Sequence, residues 1–482
     1  MALLQQPIKQ VDFTNGVIDD TALSDSLLPQ NCVRKAINCV FDDPIGSIAG
    51  RKGSTLVGNQ ITASKNILGL YNFRDAGAGT NHQLIAALNG SIYYLSGASW
   101  SSLNSGLSTS AKMRFVTFLD EVIALNGTDA PRQWNGAAAS FLTSGGNCDI
   151  ANFPNTKFAI TFNAKIYAAG KSSNPSRLYN SGVASSAGTI SWTSGNDATD
   201  INPDDGDGDI TSLATNGTVI MVFKERSMYR WGGQGGDPNR VVNIGTTSHE
   251  SVQTVGKGMV YFFGQTSGSV GIYRTDGGYP QLLSQPIKKW VDAIASSNYA
   301  NVAGCYDSDH YYLSVGDVTV DGTTYNNCVY CYTISSNAWT VFSYPTEFKV
   351  FASYINGTAA TIVGGDDNGN VITVNSGTTD NGTAIAAECE LAPLTFGSRG
   401  RVKVLNNVMV YSKQFNGLSF LMKVDDSSFK MLDSITATEQ LLTGFPVLRG
   451  RRFFPKITSS NSQTRWIFDG VDYIDMNVES YG

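Results

Sequence analysis

The sequence predicts an all-β protein: a β-propeller with an extended N-terminal arm and an additional C-terminal β-sandwich-like domain. Three observations support this prediction. Tight hairpin turns recur along the chain, the hairpins are spaced by roughly 37 to 53 residues, and helical patterns are scarce. Four short strands per unit at this spacing are typical of propeller blades. The alternative is a set of stacked β-sandwiches, which also use many short strands.

Asn-Gly and Asp-Gly dipeptides separate apolar runs throughout the chain. A two-residue type I′ turn requires φ > 0 at both central residues, which Gly and Asn tolerate best. The Asn-Gly pairs begin at Asn89, Asn126, Asn135, Asn216, Asn356, Asn368, Asn381 and Asn416, and the Asp-Gly pairs begin at Asp276, Asp321 and Asp469. Many hairpins continue into a strand that ends in an aromatic residue, among them Trp134, Trp231, Tyr273 and Trp339.

The chain divides into three predicted parts. Residues 1–57 show little periodicity and contain several prolines, so we expect an extended arm that contacts neighbouring subunits or an adaptor. Residues 58–384 hold the repeating hairpins and form the propeller. Residues 385–482 carry longer alternating strands and form a C-terminal β-rich domain of sandwich type. The best internal helix candidate is Gln285–Ala293.

Composition argues against several classes of protein. The 482 residues carry a net charge of -6, whereas an avid nucleic-acid binder is normally basic. The seven cysteines are odd in number and scattered, so they indicate no disulfide framework. Cys328 and Cys331 form a C-x-x-C on a predicted strand, where residues three apart face opposite sides and disfavour a shared metal. The sequence has no signal peptide pattern and no apolar run of about 18 residues, so we expect no membrane span and assembly in a cytoplasm. We also expect no cofactor.

Catalytic motifs are missing from the sequence, so we expect a protein that is not an enzyme. There is no G-x-S-x-G elbow and no H-E-x-x-H pair, and Lys165 stands where a phosphate loop ending at Gly170-Lys171-Ser172 requires glycine. His249-Glu250 could act as a general acid or base, but no nucleophile accompanies the pair.

The densest acidic cluster runs from Asp204 to Asp209. Alternating Asp and Gly allow the oxygens of Asp205, Asp207 and Asp209 to converge on calcium, although the distal Glu of an EF-hand loop is missing. The alternative is a tight acidic turn that enters the next strand.

Two groups of basic residues are candidate contacts to DNA or to an acidic neighbouring subunit. They are Arg51 and Lys52 in the arm, and Arg449, Arg451, Arg452 and Lys456 around Phe453-Phe454 in the C-terminal domain. The alternative for both groups is a strand with one solvated basic face.

The N-terminal segment resembles the arm of tail nozzle, or packaged-DNA-stabilisation, proteins of short-tailed bacteriophages. It reads QPIKQVDFTNGV at 6–17, LLP at 27–29, AIN at 36–38 and GSIAGRKG at 46–53, with Ile48 for the family's usual Leu and Lys52 for its Pro. Two later stretches are similar to family hairpins: NGTDAPRQWNG at 126–136, and GDGDITSL at 206–213 running into VFKERSMY at 222–229. The second match favours a strand-entry turn over calcium at Asp207.

The resemblance implies a non-enzymatic virion structural protein, made in the bacterial cytoplasm and located in the tail. Its subunits would form a ring, expected to be a hexamer, below the tail adaptor ring. The ring would extend the DNA channel, pass double-stranded DNA transiently, help retain the packaged genome and anchor tail fibres or a needle. The alternative function is a receptor- or glycan-binding propeller tail protein, in which exposed Trp and Tyr residues would stack on sugars.

Overall fold

The structure is a computed structural model that describes residues 8–19, 28–75, 81–137, 140–185, 188–192, 198–233, 237–256, 258–356, 359–397, 400–460 and 465–478. Strands account for 53% of the structure and helices for only 3%, which confirms the predicted all-β class. Within them, no helix reaches the length and apolarity that crossing a membrane requires. The predicted helix at Gln285–Ala293 is present as a 3-10 turn, Gln285–Ile287, followed by helix α1 (Lys288–Asp292).

The N-terminal segment and the first three sheets account for sixteen strands. The N-terminal segment contributes β1 (Ile8–Val11), β2 (Val33–Ile37), β3 (Cys39–Asp42), β4 (Ile45–Gly50) and β5 (Ser54–Leu56). Three sheets follow, made of β6 (Ile67–Asp75), β7 (Asn81–Leu88), β8 (Ser91–Ser96) and β9 (Ser99–Asn104); β10 (Arg114–Phe118), β11 (Glu121–Leu125) and β12 (Arg132–Trp134); and β13 (Phe158–Phe162), β14 (Lys165–Lys171), β15 (Asn174–Asn180) and β16 (Ala198–Asp200).

The middle of the chain continues in the same way. It forms β17 (Ser212–Thr215), β18 (Ile220–Phe223), β19 (Met228–Trp231) and β20 (Asn239–Val242), then β21 (Gln253–Val255), β22 (Met259–Gln265), β23 (Val270–Thr275) and β24 (Gln281–Leu282). Helix α1 (Lys288–Asp292) and a second 3-10 turn (Ser296–Asn301) precede β25 (Ala303–Tyr306), β26 (His310–Val320), β27 (Thr323–Thr333) and β28 (Ala338–Ser343). The strands β29 (Phe348–Asn356), β30 (Ala359–Asp366) and β31 (Val371–Val374) follow.

The last strands form the C-terminal part. They are β32 (Ala387–Leu391), β33 (Lys403–Gln414), β34 (Leu418–Val424), β35 (Lys430–Ser434), β36 (Glu439–Leu442), β37 (Leu448–Gly450), β38 (Phe453–Ser459) and β39 (Ile467–Val478).

Six small sheets are arranged as the blades of a β-propeller, as predicted. Their first strands, together with β25, lie side by side in a closed ring, in the order β6, β10, β13, β17, β21, β25, β29 and back to β6. The strands β25–β28 occupy the place between the β21–β24 and β29–β31 sheets, but they also begin a nine-stranded sheet. The aromatic residues that end the hairpins are buried in blade cores, as Trp134, Trp231 and Tyr273 show.

The C-terminal strands form two sheets that share one apolar core, which agrees with the predicted sandwich. One sheet is the far half of the nine-stranded sheet, ordered β28, β2, β32, β38, β34 and β35. The other contains β3, β4, β39, β33 and β36, with β1 paired to β39 and β37 paired to β33. Phe420 of β34 and Val410 of β33 are both fully buried between the two sheets.

The N-terminal segment differs from the extended arm that we expected. Its strands pair within the chain: β1 with β39, β2 with β28 and β32, β4 with β39, and β5 with β31. The strand β5 is the outer strand of the β29–β31 blade, so N-terminal residues complete the propeller. The sheets therefore cross the predicted boundaries at 57 and 384. The sequence did not predict these pairings, because the strands are short, their hydrophobic pattern is irregular, and their partners lie hundreds of residues away.

Candidate functional site

A cluster of charged side chains spans the propeller axis. Lys112 lies just before β10 and Arg114 is its first residue. Both contact Glu250, which precedes β21: the Nζ–Oε2 distance from Lys112 is 3.3 Å and the Nη2–Oε1 distance from Arg114 is 2.8 Å. The strands β13 and β17 lie between β10 and β21 in the ring, so these contacts reach across the axis. Arg114 also lies 4.7 Å from the ring centroid of Phe158 on β13.

The same cluster contains a serine–histidine pair. The Oγ of Ser212 lies 2.8 Å from Nδ1 of His249, and Ser212 is fully buried. Burial, together with the positive charge of Arg114, lowers the pKa of His249 to about 3. A general base works best with a pKa near the operating pH, so His249 is a poor base at neutral pH. The buried hydrogen bond between Ser212 and His249 therefore fits a structural role better than nucleophilic catalysis.

Glu250 is ionised in this setting. Burial alone would raise its pKa, but the positive charges of Arg114 and Lys112 outweigh burial and hold the pKa at about 2. A carboxylate flanked by two cations at 2.8 and 3.3 Å is a structural ion cluster that joins opposite blades.

A second cluster lies where the N-terminal segment meets the propeller. The imidazole of His310 stands between two carboxylates: Nε2 is 2.7 Å from Oδ2 of Asp42, and Nδ1 is 3.0 Å from Oδ1 of Asp307. Burial alone would lower the pKa of His310, but the hydrogen bonds and charges of Asp307 and Asp42 outweigh it and raise the pKa to about 10. Asp309 lies beside them, and its carboxylate accepts hydrogen bonds from the N–H and hydroxyl of Ser335 at 2.9 and 2.5 Å.

A cavity of about 90 Å³ borders this second cluster. Asp42 and His310 line it together with Asp43, Lys52 and Arg465. A neighbouring cavity of about 240 Å³ shares Lys52 and Arg465 with the first. The junction between the N-terminal segment, the propeller and the C-terminal domain therefore holds a cleft whose largely apolar wall carries charged groups of both signs.

The candidate calcium ligands do not converge. The carboxylate of Asp205 binds Nζ of Lys224 at 2.9 Å and the hydroxyl of Tyr229 at 2.5 Å. Asp207 pairs with Arg240, and Asp209 is exposed. Because Asp205 and Asp207 already have cationic partners, the structure supports the alternative interpretation, an acidic turn that enters β17.

Arg51 lies in the core and is not an external contact. Its side chain is fully buried and pairs with Asp380, with an Nη2–Oδ2 distance of 2.5 Å. Its predicted role in subunit or DNA contacts is therefore wrong, because a solvated surface was inferred for a guanidinium that the fold encloses. Lys52 is exposed and lies 3.8 Å from Asp43, so it remains available to a partner.

The C-terminal basic residues differ in how exposed their side chains are. Lys456 pairs with Glu388 and lies 3.6 Å from Glu390. Arg452 pairs with Asp426 at 3.0 Å. The side chains of Arg449 and Arg451 are exposed on and beside β37, and these two are the best placed of the group to contact a partner.

Sequence reasoning missed the cluster around His310. A local signal exists, because Asp307, Asp309 and His310 fall within four residues of one turn. Asp42 cannot be found in this way, since it comes from β3 and its contact with His310 spans 268 positions of sequence. The C-x-x-C prediction is confirmed: Cys328 and Cys331 are buried in different cores on opposite faces of β27.

No protein-family model and no curated protein matches this sequence. Among solved structures, the chain is similar to the extracellular domain of the putative hybrid two-component system BT4673 from B. thetaiotaomicron, at 10% identity and a TM-score of 0.45. That match covers 81% of this chain and 47% of the other, so this chain spans about half the length of that protein. The chain is also similar to Saccharomyces cerevisiae Sqt1, at 8% identity and a TM-score of 0.42, covering 67% of this chain and 99% of the other. These similarities carry no argument about function. The arrangement of the six small sheets identifies this chain as a β-propeller protein.

Proposed function

We propose that the chain is a non-enzymatic structural protein of a bacteriophage virion, a tail nozzle subunit. Six copies would form a ring that extends the DNA channel below the adaptor ring, helps retain the packaged genome and anchors tail fibres or a needle. The observation that carries the proposal is the ordered series of family-like motifs at 6–53, 126–136 and 206–229.

The described residues of these motifs support a structural role. The buried amide of Gln10 donates to the backbone oxygen of Ala392 at 2.7 Å and accepts from the hydroxyl of Tyr473 at 2.6 Å. In the second motif, the side chain of Asn126 caps the turn by accepting from the N–H of Asp129 at 2.8 Å. Lys224 of the third motif is fully buried against Asp205. Each of these side chains fixes a turn or a strand junction, as expected of a scaffold.

The ion cluster across the propeller axis supports a DNA route outside each propeller. Since Lys112, Arg114 and Glu250 meet across that axis, a duplex would pass between subunits, outside each propeller. Phosphate attraction along a channel slows DNA, so a chain with a net charge of -6 suits a conduit through which DNA slides.

The test is the symmetry and position of the protein in assembled particles. We expect mass photometry of the purified chain to give the mass of a hexamer. Electron microscopy of virions should show a six-fold ring on the tail axis. A trimer at a fibre tip, or a monomer that binds oligosaccharides, would contradict the nozzle and support the receptor-binding alternative.

A charge-reversal variant sharpens this experiment. Arg449→Glu combined with Arg451→Glu should weaken ring formation if the exposed basic residues contact an acidic neighbour. Arg226→Glu, another exposed arginine, is the matched control and should assemble normally. If the unmutated chain, the double variant and Arg226→Glu assemble equally well, Arg449 and Arg451 do not belong to the interface. The proposal of a ring is tested separately, by the six-fold symmetry.

A further inference from the structure

We propose that Asp42, Asp309 and His310 bind a divalent transition-metal ion, such as Zn²⁺ or Mn²⁺, that joins the N-terminal segment to the propeller. Each residue offers one ligand atom, and these atoms all lie within 4.8 Å of one another. The three side chains are partly exposed, so an ion can reach them from the adjoining cavity. The inference is independent of the nozzle proposal.

The histidine is oriented as metal-bound histidines usually are. Metal ligands of this type commonly donate their second ring N–H to a carboxylate, which fixes the ring and increases its basicity. Asp307 has this position at Nδ1 of His310, at 3.0 Å, and is itself held by the hydroxyl of Tyr312 at 3.1 Å. The other nitrogen, Nε2, therefore faces Asp42.

The carboxylates are also held in place. Ser335 donates two hydrogen bonds to Asp309, one to each carboxylate oxygen. Asp42 ends β3 and lies 2.7 Å from His310. Zinc–nitrogen and zinc–oxygen bonds measure about 2.0–2.2 Å, so an ion between these two residues requires them to separate by less than about 2 Å. Side-chain rotation alone can supply this movement.

The local charge favours a dication. Four carboxylates surround the site or border its cavity, those of Asp42, Asp43, Asp307 and Asp309, against the cations Lys52 and Arg465. A metal ion binds only a neutral imidazole, so the ion displaces the Nε2 proton of His310 into solvent. With the imidazole neutral, a divalent ion balances the remaining negative charge. One imidazole with two carboxylates and water suits zinc or manganese, whereas calcium prefers a site made of oxygens alone.

The experiment uses the full-length chain, freed of metal with a chelator and then titrated calorimetrically with ZnCl₂, MnCl₂ or CaCl₂. We expect one Zn²⁺ or Mn²⁺ per chain, no comparable Ca²⁺ binding, and a melting temperature that rises with the concentration of the ion. Asp309→Asn and Asp42→Asn should each weaken binding at least about tenfold. His310→Gln should abolish it.

Asp209→Asn is the matched control, because it removes an exposed carboxylate elsewhere and should leave binding unchanged. Absence of one-to-one binding by the unmutated chain at millimolar ion would overturn the proposal. Unchanged affinity in both Asp309→Asn and Asp42→Asn would overturn it equally. These two variants decide the question even if His310→Gln does not fold.

Discussion

Arg51 connects distant parts of the chain through a single guanidinium group. Nη1 and Nη2 bind the two oxygens of Asp380 at 2.9 and 2.5 Å, and Nε donates to Oδ1 of Asn38 at 2.8 Å. The group also lies 4.0 Å from the ring centroid of Tyr344. A bidentate pair of this kind is strong, but it is enclosed, so removing either partner leaves a buried charge without compensation.

We therefore expect Arg51→Met to lower the free energy of unfolding by about 3–5 kcal/mol. The control is Lys52→Met, whose side chain is exposed and makes only a long ion pair with Asp43, and we expect a change of at most about 1 kcal/mol. Urea denaturation followed by tryptophan fluorescence measures both. If the two variants are equally stable, Arg51 does not have the role assigned to it.

His249 and Glu250 make the stability depend on pH in a predictable direction. The ordinary pKa of 6.5 for His249 falls to about 3 in the folded chain, and that of Glu250 falls from 4.5 to about 2. Between the folded and ordinary values, the unfolded chain binds more protons than the folded chain. Their contribution to stability is thus complete above about pH 6.5 and is lost as the pH falls.

The variant His249→Asn tests this dependence, because Asn can still hydrogen-bond to Ser212 but does not titrate. From pH 6.5 down to about pH 4.5, its unfolding free energy should fall less steeply than that of the unmutated chain, by up to ~1.4 kcal/mol per pH unit. Urea denaturation at steps from about pH 7 to about pH 4.5 gives the two slopes. Parallel slopes would show that His249 titrates normally in the folded protein.

At the scale of elements, several of the predicted hairpin dipeptides form turns of two kinds. Asp469-Gly470 is a prediction that was wrong, because both residues lie inside the continuous strand β39. Asn89-Gly90, Asp321-Gly322 and Asn381-Gly382 have φ > 0 at both residues, as a type I′ turn requires. At Asn216-Gly217 only the glycine has positive φ, and the side chain of Asn216 accepts from the N–H groups of the next residues instead. Both chemistries are local, which explains why the sequence predicts hairpins well.

The strand β5 shows why the N-terminal segment was harder to predict. Its three residues pair with β31, with Thr55 opposite Thr373 and Leu56 opposite Ile372. Three residues carry too short a pattern to indicate a strand, and the partner lies more than 300 positions away. The loop that follows, around Ala63–Lys65, is exposed.

This pairing predicts that a cut in the loop will not release the N-terminal segment. With a protease site inserted between Ala63 and Lys65, we expect the cleaved fragment to co-elute with the rest of the chain in native size-exclusion chromatography. Urea should separate the two, since only non-covalent contacts join them. Release under native conditions would instead support a free arm.

At the scale of the whole molecule, the propeller and the sandwich are joined by continuous β-structure. The strand β2 pairs in parallel with β28 of the propeller and antiparallel with β32 of the sandwich. Between them lies the cleft with Asp42, His310, Lys52 and Arg465. The strand β2 therefore joins the propeller and the sandwich directly through backbone hydrogen bonds.

The sequence by itself determined the all-β class, the hairpins and the opposite faces of Cys328 and Cys331, because turn chemistry and strand alternation act over a few residues. The tertiary structure alone decided that Arg51 is buried, that β5 completes a blade, and that Asp42 meets His310. Those contacts join positions hundreds of residues apart. Their partners are selected by the packing of whole sheets, which no local pattern in the sequence records.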